Sequence, residues 1–422
     1  MVQSRRIALA TALAVLLASS AAVAKVTLTW STWLGGDQLN VLSARIAEFE
    51  RQNPDIDVEI LSFAGSDYKA KLLSMFATGT APDVAHTVVY DAPHFIREGM
   101  LLDVSRFARE IPRSEYYISD VYVREGRVYG GFESHVQVYP IYYNPDLFAA
   151  AGLLTPNEYA QRGQWTWETF REAARKLTQR GSDGRIVRYG IQIHPLWEVG
   201  WGVFGLSNGA EIVNRARTRV TVDDPAMVEA LDFLVDLYQA DHVAPRPGEP
   251  LPSGDPLLNG TAAMVLQGSW QMNYYKQFGS GVAWDIAPSP RGRSDTVYRA
   301  PGADGVVLAS TQHPEEAWRL VRFFLDEFVQ FDKAKSKLEV PVMKRALASD
   351  VYLAAPPASM RVIGDLLAHS IPQPVFAGAV EVRGVLEQQL LPAFRGERSL
   401  ETAVAEAARL GQAKLMEFQD SR

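Results

Sequence analysis

Apolar and polar positions alternate in two different rhythms along the first ninety-odd residues. Residues 26–30 alternate with period two and are rich in β-formers, which predicts a strand. Leu39, Leu42, Ile46 and Phe49 recur at spacings of three and four, which predicts a helix that Asp37 would cap and Asn53-Pro54 would end. Residues 56–60 alternate again. Tyr68, Leu72, Met75 and Phe76 mark a second helix, closed by Gly79 and Pro82. Residues 84–89 form an apolar run of the kind a buried strand carries. Strand, helix, strand, helix, strand predicts a parallel sheet with crossover helices.

The same alternation returns downstream. Residues 138–143 and 189–193 read as strands. Trp167, Phe170, Ala174 and Leu177 form a helix face ending at Gly181. Asp224 and Pro225 open a helix carrying Met227, Val228, Leu231, Leu234, Val235 and Tyr238. Pro245, Pro247, Pro250, Pro252 and Pro256 make a rigid loop rather than a domain linker. Residues 306–309 read as a strand, and Pro314 opens a helix through Phe328. From about Pro341 onward the chain reads as helical, with Leu400, Val404 and Ala408 on the last amphipathic helix. No internal repeat is visible.

The N-terminus changes the setting. Arg5 and Arg6 precede a weakly apolar run over residues 7–17, and small residues follow, ending in Ala22-Val23-Ala24. This is the pattern of a secretory signal peptide over residues 1–24 with cleavage near Ala24. The run is shorter than the roughly 20 residues a bilayer core requires. Ser4-Arg5-Arg6 partly matches a twin-arginine signal, and either export route ends in the periplasm. No later segment is apolar enough to span a membrane.

The chain has 422 residues, which at about 100–200 residues per domain suggests two or three domains. It has no cysteine, which removes a thiol nucleophile, a cysteine-ligated zinc and lipid attachment through an N-terminal cysteine. The last point favours a free periplasmic protein over a lipoprotein. Lys and Arg number 42 against 49 Asp and Glu, for a net charge of −7, and the basic residues form no stripe. Nucleic acid and anionic membrane surfaces are therefore not expected partners.

Most catalytic signatures are missing. There is no P-loop, H-E-x-x-H or EF-hand pattern, and no G-x-S-x-G surrounds any serine. Residues 200–205 (GWGVFG) match the dinucleotide fingerprint as a string, but Pro195, Trp197 and Trp201 stand where a strand should turn directly into a helix. Seven histidines are scattered, and His86 and His135 read as hydrogen-bonded side chains before they read as ligands. Tyr116-Tyr117 and Tyr142-Tyr143 are the kind of pair that binds ferric iron, yet no hard carboxylate and imidazole partners cluster beside them. A carboxylate pair for glycoside hydrolysis depends on a spatial separation that sequence does not give, so a secreted carbohydrate-active enzyme stays open as an alternative. The aromatic residues are the sharper signal. Trp33, Tyr90, Trp197, Trp201 and Trp270 fall at strand ends or glycine-flanked loops, where open α/β sheets collect their ligands. An aromatic face suits the axial hydrogens of a sugar ring; core packing is the competing use for each tryptophan.

The order of several short stretches resembles one known family across the whole chain after residue 24. They are residues 29–33 (TWSTW), 49–55 (FERQNPD), 79–84 (GTAPDV), 98–102 (EGMLL), 141–148 (IYYNPDLF), 165–170 (WTWETF) and 259–270 (NGTAAMVLQGSW). The chain is similar to the family 1 extracellular solute-binding proteins, the maltose-binding-protein-like subunits of ABC importers. That resemblance implies an α/β fold of two lobes, each a mostly parallel sheet flanked by helices, with the ligand cleft at the hinge. The first lobe would comprise residues 25–134 and 296–331, and the second residues 135–295 and 332–422. The chain would cross near 135, return near 295 and cross again near 332.

Carried over by position, the resemblance places Trp33 and Asp37 in the first strand–helix loop that meets ligand, and Tyr90 and Asp91 after the third strand. Trp270 would stack on sugar, and Gly302 and Gly305 would let backbone approach it. Near Gln137 the family often carries an acid, where this chain has an amide beside the imidazole of His135. After Pro372 the family's aromatic has no clear counterpart, and Phe376 or Arg383 would substitute. The resemblance implies a sugar as ligand, a membrane permease with its ATPase as partner, no enzymatic activity, no cofactor or metal, and a monomer. Glycerol-3-phosphate or another polyol or phosphorylated ligand is the alternative within the binding class.

Overall fold

A computed structural model describes residues 25–64, 67–294 and 296–420. The leader expected over residues 1–24 lies outside the described residues. Among the described residues no helix is long and apolar enough to cross a membrane.

The first lobe grows from the alternation seen at the start of the chain. Strand β1 (Val26–Thr32) is followed by helix α1 (Gly36–Gln52), strand β2 (Ile56–Ser62), helix α2 (Tyr68–Ala77) and strand β3 (Val84–Thr87). Strand β1 lies between the other two and pairs with both in parallel, Val26 opposite Ile56 and Trp30 opposite Val84. Parallel pairing requires a crossover, and α1 and α2 supply it. Leu42, Ile46 and Phe49 bury the apolar stripe of α1, while Leu39 stays half-buried. Arg45 is also buried on that stripe, a position the periodicity does not account for. The helix starts two residues earlier than expected. Gly35 is the cap residue and Asp37, exposed, sits in the first turn without a capping bond. A carboxylate there still faces the positive end of the helix dipole. Asn53 ends α1 as expected, its amide donating to the Phe49 carbonyl.

A long central strand organises the first sheet. Strands β4 (His135–Gln137), β5 (Ile141–Tyr143), β6 (Met264–Leu266) and β7 (Asp285–Ala287) precede β8 (Val297–Val307), β9 (Val340–Pro341) and β10 (Ser370–Pro372). The first sheet runs β9-β4-β8-β3-β1-β2, with β10 on the far end of β8. Only the last residues of β8 were legible as a strand, because Pro301, Gly302 and Gly305 weaken the signal of its middle. The second sheet, β6-β5-β7, departs from the parallel pattern: both pairings are antiparallel. Residues 189–193 join it only through isolated parallel bridges from Tyr189 and Gln192 to Ala262 and Val265. Strand β5 is buried on both faces, and Tyr142 and Tyr143 point to different cores. Their hydroxyls diverge, Tyr142 donating to the Gly268 carbonyl and Tyr143 accepting from Asn157, so they do not form an iron-binding pair.

Helices α3 (Trp167–Leu177), α4 (Trp201–Ser207) and α5 (Pro225–Tyr238) pack the second core. The GWGVFG string proves to be a packing device. A Cβ on Gly202 would lie 2.5 Å from the Trp197 ring, so glycine is what lets α4 press against it. Asp224 stands at the cap of α5, but its carboxylate pairs with Arg219 instead of the helix amides. The helix expected through Phe328 divides into α6 (Pro314–Phe323) and α7 (Glu327–Ser336). Buried Gln330 explains the break. Its amide donates to the freed Phe324 carbonyl at 2.7 Å and to Ser134, while its oxygen accepts from Val342 and Met343. Helices α8 (Ala379–Phe394) and α9 (Leu400–Asp420) close the chain against each other.

Where β4, β8, α1 and α7 meet, a group of charges is buried. The Lys333 ammonium, with no exposed surface, reaches Asp304 at 2.5 Å, Glu339 at 3.3 Å and the Ser134 carbonyl at 3.0 Å. Arg45 reaches Glu339 at 2.9 Å and Asp332 at 3.0 Å. Burial alone would raise the Asp304 carboxyl, but Lys333, His135 and Arg45 hold it well below the usual carboxylate range. Removing one member of a buried pair strands the other. Lys333→Met is therefore expected to cost about 3–5 kcal/mol in urea unfolding; a loss under about 1 kcal/mol would show that the cluster does not behave as a paired unit.

Candidate functional site: the cleft between the lobes

The loops that follow β1 and β3 build one wall. Trp33 leaves the end of β1 and packs on His86, ring centroids 4.1 Å apart, and on Tyr68 at 5.1 Å. These residues, with Lys69, Thr87 and Asp91, line a cavity of about 330 Å³. Asp91 is buried and ion-paired with Lys69. Burial lowers His86 to about 4, so its ring is neutral in the fold at physiological pH.

A second cavity is built from later parts of the chain. His194, Glu198, Gln267, Trp270, Arg383 and Glu387 line a cavity of about 510 Å³. Trp270 is 39% exposed. Its ring folds back over Gly268, where a Cβ would lie 2.0 Å away, and meets Tyr139 edge-on. Gln137 sits beside this motif, its oxygen accepting from Ser269 at 2.5 Å. Burial raises the Glu387 carboxyl, which accepts the Trp197 amide at 2.8 Å.

Tyr90 joins the two walls. Its hydroxyl lies 2.5 Å from Glu198 and against the side-chain oxygen of Gln373. The Arg383 guanidinium stacks 4.1 Å over the Tyr90 ring and donates to Glu198 at 3.2 Å. Burial keeps the Tyr90 phenol protonated well beyond its usual range. Tyr90 and Arg383 therefore meet, while Trp33 and Asp91 line one cavity and Trp270 and Arg383 the other, with Gln137 beside the Trp270 motif.

The other expected residues lie elsewhere. Trp197 and Trp201 are wholly buried and pack on each other, with Trp197 also stacked on Tyr298, so neither ring faces the cleft. Asp37 lines neither cavity. His135 faces the buried charges, 3.7 Å from both Asp304 and Glu339. Gly302 makes room for that imidazole, since a Cβ there would lie 2.1 Å from its Nε2. Gly305 makes room for the Trp30 ring. His135, Asp304 and Glu339 are the one group among the described residues with metal-ligand spacing, but Lys333 and Arg45 already neutralise both carboxylates. Lys69, His194, Glu198, Gln373 and Glu387 were not anticipated. Glu198 had one usable signal, its place beside Trp197 in the loop entering Gly200.

The comparisons agree with this architecture. Residues 35–330 match the family model for bacterial extracellular solute-binding proteins. The chain belongs to that family. It is similar to a putative ABC transporter periplasmic-binding protein, YcjN, of Escherichia coli, with 27% identity over 54% of this chain. The match spans 52% of that relative, so the chain covers about half its length. Among solved structures it resembles the Listeria monocytogenes substrate-binding protein Lmo0181 in complex with cycloalternan, with TM-score 0.79 and 23% identity over 93% of this chain and 100% of that one. It also resembles the sugar-binding protein MalE of Xanthomonas citri, with TM-score 0.81 and 20% identity over 93% and 98%. At those identities the likeness establishes the two-lobe binding-protein fold. The family is extracellular, serves ABC transporters, has sugar-binding members, and consists of binding proteins rather than enzymes.

Burial of neutral His86 has a measurable consequence. Its pKa of about 4 in the fold lies below the ordinary 6.5, so between those values the unfolded chain binds a proton that the fold refuses. The contribution of His86 alone is expected to lower stability by about 3 kcal/mol as pH drops from 7 to 4. Denaturant titration across that range checks it, and His86→Gln should lessen the slope measurably, leaving the parts due to His194, which burial also lowers, and to carboxylates held low such as Asp304 and Glu339. An unchanged slope in the variant would disprove the assignment.

Proposed function

We propose that this chain captures a neutral sugar or short oligosaccharide between its lobes and delivers it to an ABC permease. The observation that carries this reading is the composition of the cleft. Trp33 on one wall and Trp270 on the other offer aromatic faces, while Asp91, Glu198, Gln267 and Arg383 supply acceptors and donors for hydroxyls, with Gln137 behind them on Ser269. The relatives' names point the same way. Lys69 and Arg383, the cations of the cleft, already have carboxylate partners, which favours a neutral ligand over glycerol-3-phosphate.

Capture works by differential contact. A ligand held by both walls stabilises the closed form, because only that form touches it on both sides. Tyr90, between Glu198 and Arg383, is the contact that a bound sugar would join or replace. In this reading the lobes divide as residues 25–134 with 296–331 and 135–295 with 332–422. The protein acts as a monomer in the periplasm after cleavage near Ala24. His135, Trp197, Trp201, Gly302 and Gly305 shape the cleft from behind its walls.

A panel of neutral mono- and oligosaccharides should contain one that, at 100 times its Kd, stabilises the protein by about 2.7 kcal/mol in thermal unfolding. Trp270→Ala should weaken that ligand by roughly tenfold or more while leaving the unliganded melting temperature nearly unchanged. Silence across neutral sugars, or catalytic turnover of any of them, would overturn the proposal.

A further inference from the structure

A second groove opens between the lobes, separated from the sugar cleft by Gln373. Its volume is about 770 Å³, within the range of small-molecule sites. The loops around Arg97 and Arg124, the hinge segment after Pro372 and the end of α9 form its walls. Arg97, Arg113, Arg124, Arg217 and Arg299 line it, against a single acid, Asp120.

Three of these arginines have acidic partners: Glu98 for Arg97, Asp120 for Arg113 and Glu125 for Arg124. Among the described residues Arg217 and Arg299 have none within ion-pair distance. Arg299 is the telling one. It is 8% exposed, donates through one terminal nitrogen to Ser370, and leaves its Nε–H without a partner. Gln373, 2% exposed, likewise leaves its side-chain NH2 unpartnered, because its oxygen is taken by Tyr90. Glu133 acts on Arg299 from nearby: one of its oxygens accepts from Ser119, the other is buried without a hydrogen bond, and no ion pair with the guanidinium forms. A buried guanidinium and a buried amide, both short of acceptors and both lining one groove, leave open donors that an acceptor entering the groove would satisfy. The planar fork of arginine matches a carboxylate or phosphate two-pronged.

We propose that this groove is an oxyanion site, taking the carboxylate or phosphate group of a small solute, with Arg299 and Gln373 at its floor and Arg217 at its rim. It is distinct from the neutral-sugar cleft and stands or falls independently of the ligand bound there.

Calorimetric titration of the protein with inorganic phosphate and with glucuronate, at constant ionic strength against a chloride control, tests it. Saturable binding is expected for at least one probe. Arg299→Gln should weaken it by roughly tenfold to a hundredfold, the range for hydrogen bonds to a charged group. Arg217→Gln, at an exposed position that does not threaten folding, should weaken it severalfold. Phosphate and glucuronate binding alike supports a site for free oxyanions; glucuronate alone supports a carboxylate carried on a sugar. Absence of saturable binding above chloride, or binding that both variants retain unchanged while melting like the wild type, overturns the proposal.

Discussion

The buried charges around Lys333 are the constraint on which the crossing between the lobes depends. Asp304 comes from β8, Arg45 from α1 and Lys333 from α7, while His135 at the start of β4 faces the same cluster. Charges removed from water are tolerable only when each meets its counterion in good geometry. Lys333 and Arg45 together answer Asp304, Glu339 and Asp332, so a shift of any one element would strand a charge. An apolar cluster at this junction would permit sliding. An ionic one specifies which residues meet. Strand β8 is thereby anchored in one place while its two ends pair with different strands.

From that anchor the cleft inherits its geometry. Strand β3, paired with β8, carries Tyr90 and Asp91 at its exit, and β10, paired with the other end of β8, carries the chain to Gln373. Tyr90 therefore meets Gln373 and Glu198 because two neighbours of one strand aim them together. The polar groups of the cleft are mostly paired with each other: Asp91 with Lys69, and Glu198 with Tyr90 and Arg383. A ligand gains only what exceeds these existing bonds, which makes a misplaced hydroxyl costly and favours selectivity over raw affinity.

The same economy separates the two inter-lobe spaces. In the cleft, every cation has a carboxylate and aromatic faces are exposed. In the groove behind Gln373, cations outnumber acids and buried donors are left open. One side chain, Gln373, offers its oxygen to the first space and its nitrogen to the second. The electrostatic character of each space follows from which partners the fold provides locally, although the chain as a whole is acidic.

The chain's order of residues by itself determined the β-α-β-α-β start, the helix faces of α3 and α5 and the end of α1 at Asn53. These rest on periodicity and on neighbours in sequence, so local chemistry suffices. The tertiary structure alone decided the rest. Trp201 and Trp270 both follow glycine-containing stretches, yet one is fully buried and the other is not, because only the packing of Gly202 against Trp197 says which way a ring turns. Gly302 and Gly305 looked like ligand-facing backbone and instead accommodate His135 and Trp30, rings contributed by strands far away in the chain. Gln373 and Lys333 carry no local signal, since a charged or amide side chain in a loop or helix looks solvated until a distant partner buries it. Periodicity is written by near neighbours; partnership is set by which strands the fold brings side by side.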